Sequence, residues 1–306
     1  MSGIAEAKIA RRSAVKRWSR HLWREWTTES RRSIRCAAAR PDPASWSDTT
    51  LTAAWLGHST VLINFFGFHI ITDPVLFPRI GIRLPGFTVG PKRLTAAALR
   101  VRELPRIDLV LLSHAHFDHL DTRTLHALPR SADLITAPKT TDILRFLFFR
   151  SKTELRWGEE TEVKRACGSI RVRAFEVRHW GARLRTDTWR GYNGYLLERE
   201  GHRIIFAGDT SLTGSFAELR SRRRFDLALM PIGAYDPWIR SHATPEQAVA
   251  MADAAGADYI LPLHHQTFRL SAESFFDPIE RFAAALQNEP ERIALRAIGE
   301  TFRLKS

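Results

Sequence analysis

Residues 114–119, His-Ala-His-Phe-Asp-His, place three imidazoles and a carboxylate in one short stretch, and Asp121 follows two positions later. Only 12 of the 306 residues are histidine, so this concentration points to metal ligation rather than to scattered core histidines. Alternate side chains of an extended stretch share a face, so His114 and His116 can address one ion. Asp118 and His119, around the following bend, then address a second. Two ions about 3.5–4 Å apart can hold a hydroxide and stabilise both the attacking and the leaving oxygen of a hydrolysed ester. Such a pair needs more than four ligands.

The elements that must position these groups are legible as short apolar runs. Residues 107–112, Ile-Asp-Leu-Val-Leu-Leu, read as a strand ending where the histidines begin, and strand ends are where α/β folds place their chemistry. Residues 169–178 alternate apolar and polar side chains and end at His179. Residues 203–207, Arg-Ile-Ile-Phe-Ala, run into Gly208-Asp209-Thr210, where the glycine leaves room for an inward carboxylate, so Asp209 suits a bridging ligand. Residues 258–263 run into His264-His265, one of which should complete the second ion. Cys36 and Cys167 lie outside all these segments. The donor set is therefore nitrogen and oxygen, which fits zinc, iron or manganese, with zinc the expected metal.

In this order the ligands resemble those of the metallo-β-lactamase superfamily. Within it, Trp55-Leu56-Gly57-His58-Ser59-Thr60, Thr72-Asp73-Pro74, the HAHFDHLD loop, His179-Trp180, Ala207-Gly208-Asp209-Thr210, Gly233-Ala234-Tyr235 and His264 resemble the branch containing N-acylphosphatidylethanolamine-hydrolysing phospholipase D. The likeness runs from about residue 49 to residue 306. The same broad branch holds bacterial lactonases acting on sugar phosphates. One departure is visible: His265 and Gln266 stand where that phospholipase has a tryptophan and a glycine. The resemblance implies His114, His116 and His179 on one divalent ion, Asp118, His119 and His264 on the other, and Asp209 between them. It also implies a four-layer αββα fold of the α/β (α+β) class, with two mixed sheets between outer helices.

A divalent ion lowers the pKa of its bound water towards roughly 7, so no serine or cysteine nucleophile is required. Asp118 is a candidate for orienting that nucleophile. Asp121 has two readings, a partner of a ligand imidazole or the cap of a helix over residues 122–127. Thr244-Pro245-Glu246-Gln247 combines a capping threonine, a proline at the first helical position and a glutamine three residues past the cap, which predicts a helix over 245–255. His242 sits just before it. By resemblance it would contact the substrate phosphate or protonate a leaving group. His58, Asp73 and Tyr235 read as structural, with His58 anchoring a hairpin and Asp73 turning the chain before Pro74. His21, His69, His126 and His202 carry no functional context.

Ligands spread from 114 to 264 require the whole span to fold together, so residues 49–306 read as one hydrolase domain behind a basic arm, residues 1–48. The first forty residues carry eleven Lys and Arg against three Glu, a net +8 out of +13 for the chain, leaving +5 for the remainder. Val15, Trp18, Leu22 and Trp26 recur at helical spacing among arginines. That pattern is an amphipathic helix, either peripheral to an anionic membrane or packed on the body. No run of eighteen apolar residues and no secretory core are present, so the expected location is the cytoplasm, with possible contact at the inner face of the membrane. The expected reaction is hydrolysis of a phosphodiester or related ester in a small anionic or lipid-like substrate. A sugar-phosphate lactonase and a nuclease are the alternatives. The modest charge of the body argues against nucleic acid. A structural metal protein is disfavoured because structural zinc sites are closed four-ligand cages.

Overall fold

The computed structural model describes residues 30–305 except Arg185. The predicted helix around Trp18 and Trp26 lies outside the described residues. From Ser30 the chain is stitched to the body. Arg35 forms a parallel bridge with Thr95, and the Ala38 N–H donates to the Ile298 carbonyl at 3.0 Å.

Two mixed sheets carry the molecule. The first, in spatial order, comprises β15 (Thr301–Arg303), β1 (Leu51–Gly57), β2 (Thr60–Phe65), β3 (Phe68–Thr72), β6 (Leu109–Leu112), β7 (Asp133–Thr136) and β8 (Ser151–Glu154). The second runs β14 (Ala257–Leu263), β13 (Phe225–Pro231), β12 (His202–Phe206), β11 (Gly194–Arg199), β10 (Gly168–Phe175) and β9 (Glu160–Arg165). A small hairpin, β4 (Ile82–Leu84) and β5 (Phe87–Val89), stands apart. Each main sheet begins as an antiparallel meander and continues in parallel strands: β3, β6, β7 and β8 in the first, β12, β13 and β14 in the second. The two halves thus share a topology with no visible repeat in sequence.

The parallel strands β12, β13 and β14 of the second sheet read as mostly apolar runs because both faces are buried, whereas β9 and β10 alternate buried and exposed side chains. Ile204, Phe206, Leu227, Leu229, Leu261 and Leu263 point into the core shared with the first sheet. Their neighbours Ile205, Ala207, Ala228, Met230 and Ile260 face the other way. There they meet α3 (Pro245–Ala255) and α4 (Asp277–Ala285) through Ala248, Ala252, Ile279 and Phe282. Thr244 caps α3 in a capping box with Gln247, Pro245 opens it, and Gly256 at φ 82° ends it, so the sequence signal and the element coincide. On the first sheet the link from β6 to β7 is only the six-residue α1 (Thr122–Ala127). The four-residue α2 (Ser215–Glu218) packs near α3. Among the described residues no helix is long and apolar enough to cross a membrane.

Candidate metal centre

Every predicted ligand follows a strand at its carboxyl end. Ser113 and His114 follow β6, His179 follows β10, Asp209 follows β12 and His264 follows β14, while His58 and Asp73 follow β1 and β3. An antiparallel bridge between His114 and Tyr192 ties the two sheets together there. His58, Asp73, Ala234, His264 and Gln266 all have left-handed backbones, with φ between 33° and 64°. Non-glycine residues in that region cost on the order of 1–3 kcal/mol each, so their concentration here means the surrounding packing enforces the site. Two glycines are required by close approach. A Cβ on Gly208 (φ 61°) would lie 2.6 Å from Ser113 Cβ, and one on Gly233 would lie 2.2 Å from the His264 carbonyl oxygen.

The site has two halves. In the first, His116 Nδ1 is 2.8 Å from His114 Nε2 and 3.3 Å from His179 Nε2. His179 Nδ1 donates to the Ser241 carbonyl at 2.9 Å, so its Nε2 presents a bare lone pair. In the second, Asp118 Oδ2 lies 3.0 Å from His58 Nε2, 3.4 Å from His264 Nε2 and 3.6 Å from His119 Nε2. Asp209 Oδ2 stands between the halves, 3.1 Å from both His119 Nε2 and His264 Nε2, 3.4 Å from His242 Nε2, 3.8 Å from His179 Nε2 and 4.0 Å from His114 Nε2. All seven predicted ligands and His242 are therefore brought together. Nε2 of His119, Nε2 of His264 and Oδ1 of Asp209 are buried without a hydrogen-bond partner. Buried polar atoms left in that state are costly, and a cation among them would satisfy all three.

Electrostatics divides the histidines. Burial pushes His114 and His179 well below the ordinary imidazole value and His116 to about 4, keeping these rings neutral with lone pairs free. Burial opposes charge on His119 and His264 too, but the carboxylates outweigh it. Asp209, Asp118 and Asp73 lift His119 well above its ordinary value, and Asp209 with Asp118 lifts His264 to about 9. Against desolvation, His119 and His264 in turn hold Asp118 and Asp209 well below the carboxylate range. Protonated imidazoles thus occupy the charge role that cations would take.

Several placements decide between readings that the sequence left open, and two, those of Asp73 and His58, differ from its expectation. His265 is not in the cluster: its ring stacks on Trp55, centroids 4.5 Å apart, leaving His264 as the residue that faces Asp209. Asp121 touches no imidazole. It caps α1, accepting from the Arg123 and Thr124 backbones and from Thr124 Oγ1 at 2.6 Å. The carboxylate that does hold a ligand ring is Asp73, whose Oδ2 accepts from His119 Nδ1 at 2.6 Å and from Ser113 Oγ at 2.5 Å. Ser113 Oγ, its proton given to Asp73, accepts from His114 Nδ1 at 2.9 Å. Asp73 therefore fixes one ring in each half. Its signals in sequence were an acidic residue at a strand end, as at Asp209, and its place in one of the segments that carry the family resemblance. His58, read as a hairpin anchor, lies inside the second half. Tyr235 bonds Asp277 at the start of α4, a structural role.

The mouth of the site is apolar and basic. Trp180, Leu212, Trp238 and Ile239 are exposed on the loops that carry His179, Asp209 and His242. The Trp180 ring meets His116 edge-on at 4.6 Å between centroids. A groove of about 630 Å³ beside His264 is lined by Gln266, Phe268, Arg269, Leu270 and Phe275 among others.

A family model described as the beta-lactamase superfamily domain matches residues 69–265. Among curated proteins, an uncharacterised protein of Mycobacterium tuberculosis is 32% identical over 271 residues, covering 86% of this chain and 71% of that one. An N-acyl-phosphatidylethanolamine-hydrolyzing phospholipase D of Caenorhabditis elegans is 29% identical, covering 75% of this chain and 68% of its own. A metal-dependent hydrolase of Flavobacterium johnsoniae is 27% identical, with 81% and 97% covered. Among solved structures, an isothiocyanate hydrolase from Delia radicum gut bacteria superposes with a TM-score of 0.64 at 18% identity, covering 82% of this chain and 98% of that one. That likeness is one of fold.

Proposed function

Because this chain belongs to the metallo-β-lactamase superfamily and is a metal-dependent hydrolase, we propose that it holds two divalent ions, zinc first among them, and cleaves a phosphodiester in an anionic, lipid-like substrate. The observation that carries the proposal is Asp209 Oδ2 standing between two groups of convergent donors. His114, His116 and His179 would hold one ion, Asp118, His119 and His264 the other, and Asp209 would serve both. A structural zinc cage offers four ligands and no open position, so a seven-residue set around a shared carboxylate supports catalysis. Bound there, the ions supply Lewis acidity and acidify a water near neutral pH.

The chain's own residues do the rest. His114 and His179 present Nε2 lone pairs in tautomers fixed by Ser113 and Ser241, and His116 turns its Nδ1 to both. Asp118, at the half-open edge of the cluster, orients the attacking water. His242 Nε2, 3.4 Å from Asp209, is placed to give a proton to the leaving oxygen or to bond a phosphate oxygen. Trp180, Trp238 and Ile239 beside Arg178 and Arg240 support a substrate with acyl chains and a phosphate. The named activity of the nematode relative supports an N-acylphosphatidylethanolamine-like lipid. A cytoplasmic location, with the arm touching an anionic membrane, belongs to the same proposal.

Elemental mass spectrometry of the purified chain, paired with hydrolysis of bis(p-nitrophenyl) phosphate before and after chelation, tests it. About two ions per chain and chelator-sensitive cleavage support the reading and lead to N-acylated phospholipid vesicles next. Two ions without cleavage would overturn the phosphodiester assignment in favour of a carbonyl ester or lactone. No ion after reconstitution would overturn the whole.

A further inference from the structure

We infer that His58 is a positioning residue of the second half of the centre, its Nε2–H pinning the Asp118 carboxylate against His119 and His264. The inference rests on the proposed dinuclear reading. An ionised carboxylate only accepts, so the 3.0 Å contact between His58 Nε2 and Asp118 Oδ2 places the proton on Nε2. The other ring nitrogen, Nδ1, is buried with no hydrogen-bond partner, which a bare lone pair tolerates better than an N–H.

The ring cannot swing away. Its backbone is clamped three ways: the His58 N–H donates to Thr267 Oγ1 at 2.6 Å, and its carbonyl accepts from Trp55 Nε1 at 2.7 Å and from the His264 N–H at 3.2 Å. The ring itself lies on His264 at 4.1 Å and meets His119 and Phe268 edge-on, each at 5.2 Å. Trp55 and Thr267 come from β1 and from the loop after β14, so His58 couples Asp118, on the first sheet, to His264, on the second. Asp118 needs this hold. Its side chain is 15% exposed, whereas that of Asp209 is 1% exposed and enclosed by imidazoles. Without His58, Oδ2 keeps only the longer contacts to His264 Nε2 at 3.4 Å and His119 Nε2 at 3.6 Å, the two nitrogens that face the metal position, and the carboxylate loses its shortest restraint against turning towards water.

Amide replacements separate this role from packing. The Gln amide nitrogen reaches the position of a histidine Nε2, and the Asn amide nitrogen reaches only that of Nδ1. Zinc content and affinity, read by competition with a chromogenic chelator, are measured for the wild type, His58→Gln, His58→Asn and His58→Ala, with thermal melts of the chelated proteins as the folding control. His58→Asn and His58→Ala are expected to weaken one of two ions about 10–100-fold, and His58→Gln to stay within a few-fold of wild type. The visible spectrum of the cobalt-substituted His58→Gln protein should match wild type, because no ligand has been removed. A wild type that binds two ions while Gln and Asn weaken zinc equally, or leave it untouched, overturns the inference alone. A His58→Gln protein that lacks one ion outright would make His58 a ligand and overturn it too. A wild type that binds no ion overturns the reading beneath it.

Discussion

Asp73→Asn is the sharpest probe of how the centre is held. The wild-type carboxylate accepts three bonds in a fully buried setting: from the Ser113 N–H at 2.7 Å, from Ser113 Oγ at 2.5 Å and from His119 Nδ1 at 2.6 Å. An asparagine of the same shape can keep the backbone bond on its oxygen, but its NH2 then faces two donors. His119 must move its proton to Nε2, the nitrogen that faces Asp209, and Ser113 must turn its hydroxyl away from the amide, which disturbs the Oγ that accepts from His114 Nδ1. Loss of such outer partners weakens metal binding about 10–100-fold, or about 1.4–2.7 kcal/mol per ion. Because the relay reaches both halves, both ions should weaken. Ser113→Ala should weaken chiefly the ion of the His114 half. Chelator competition on folded, circular-dichroism-checked protein reads the result. An Asp73→Asn protein with wild-type affinity for both ions would refute the tautomer argument, whatever its activity.

Asp209→Ala should lose metal and turnover together, since among the described residues its Oδ2 is the carboxylate oxygen within about 4 Å of predicted ligands on both sides; turnover without it would defeat the dinuclear reading. His242→Ala should keep its metal content and lose about 10²–10⁴-fold in turnover, as for removal of a general acid; a matched loss of metal would make it a ligand instead. In the chelated protein, His264 is lifted from 6.5 to about 9 by Asp209 and Asp118 against the pull of burial. A raised folded-state pKa gives stability that is fully present below the unfolded value and lost as pH climbs through the folded one. The melting temperature of metal-free protein should therefore fall between about pH 6.5 and pH 9, while zinc affinity rises over the same window as the proton leaves. A flat metal-free melting profile across that window would contradict the ion-pair account.

The linear sequence determined what could be written in local patterns. The His114–His119 stretch, the strand runs ending at His179, Asp209 and His264, and the cap of the helix at Thr244 each depend on residues a few positions apart, and each element formed where its pattern ended. Burial of β12 and β14 was legible for the same reason, since side chains that face two cores leave an apolar run, whereas the alternation over 169–178 marks β10 as a strand with one face exposed. Only the tertiary structure could choose between His264 and His265, because adjacent residues at a strand end point to opposite sides and the left-handed backbone at His264 sets which one turns inward. It also decided the roles of two aspartates. Asp121 is adjacent to the ligand loop in sequence but spends its oxygens on the start of a helix, whereas Asp73, forty residues upstream of Ser113, reaches the ligand rings because β3 and β6 are parallel neighbours. Distance along the chain says nothing about which carboxylate meets which imidazole; the register between strands does.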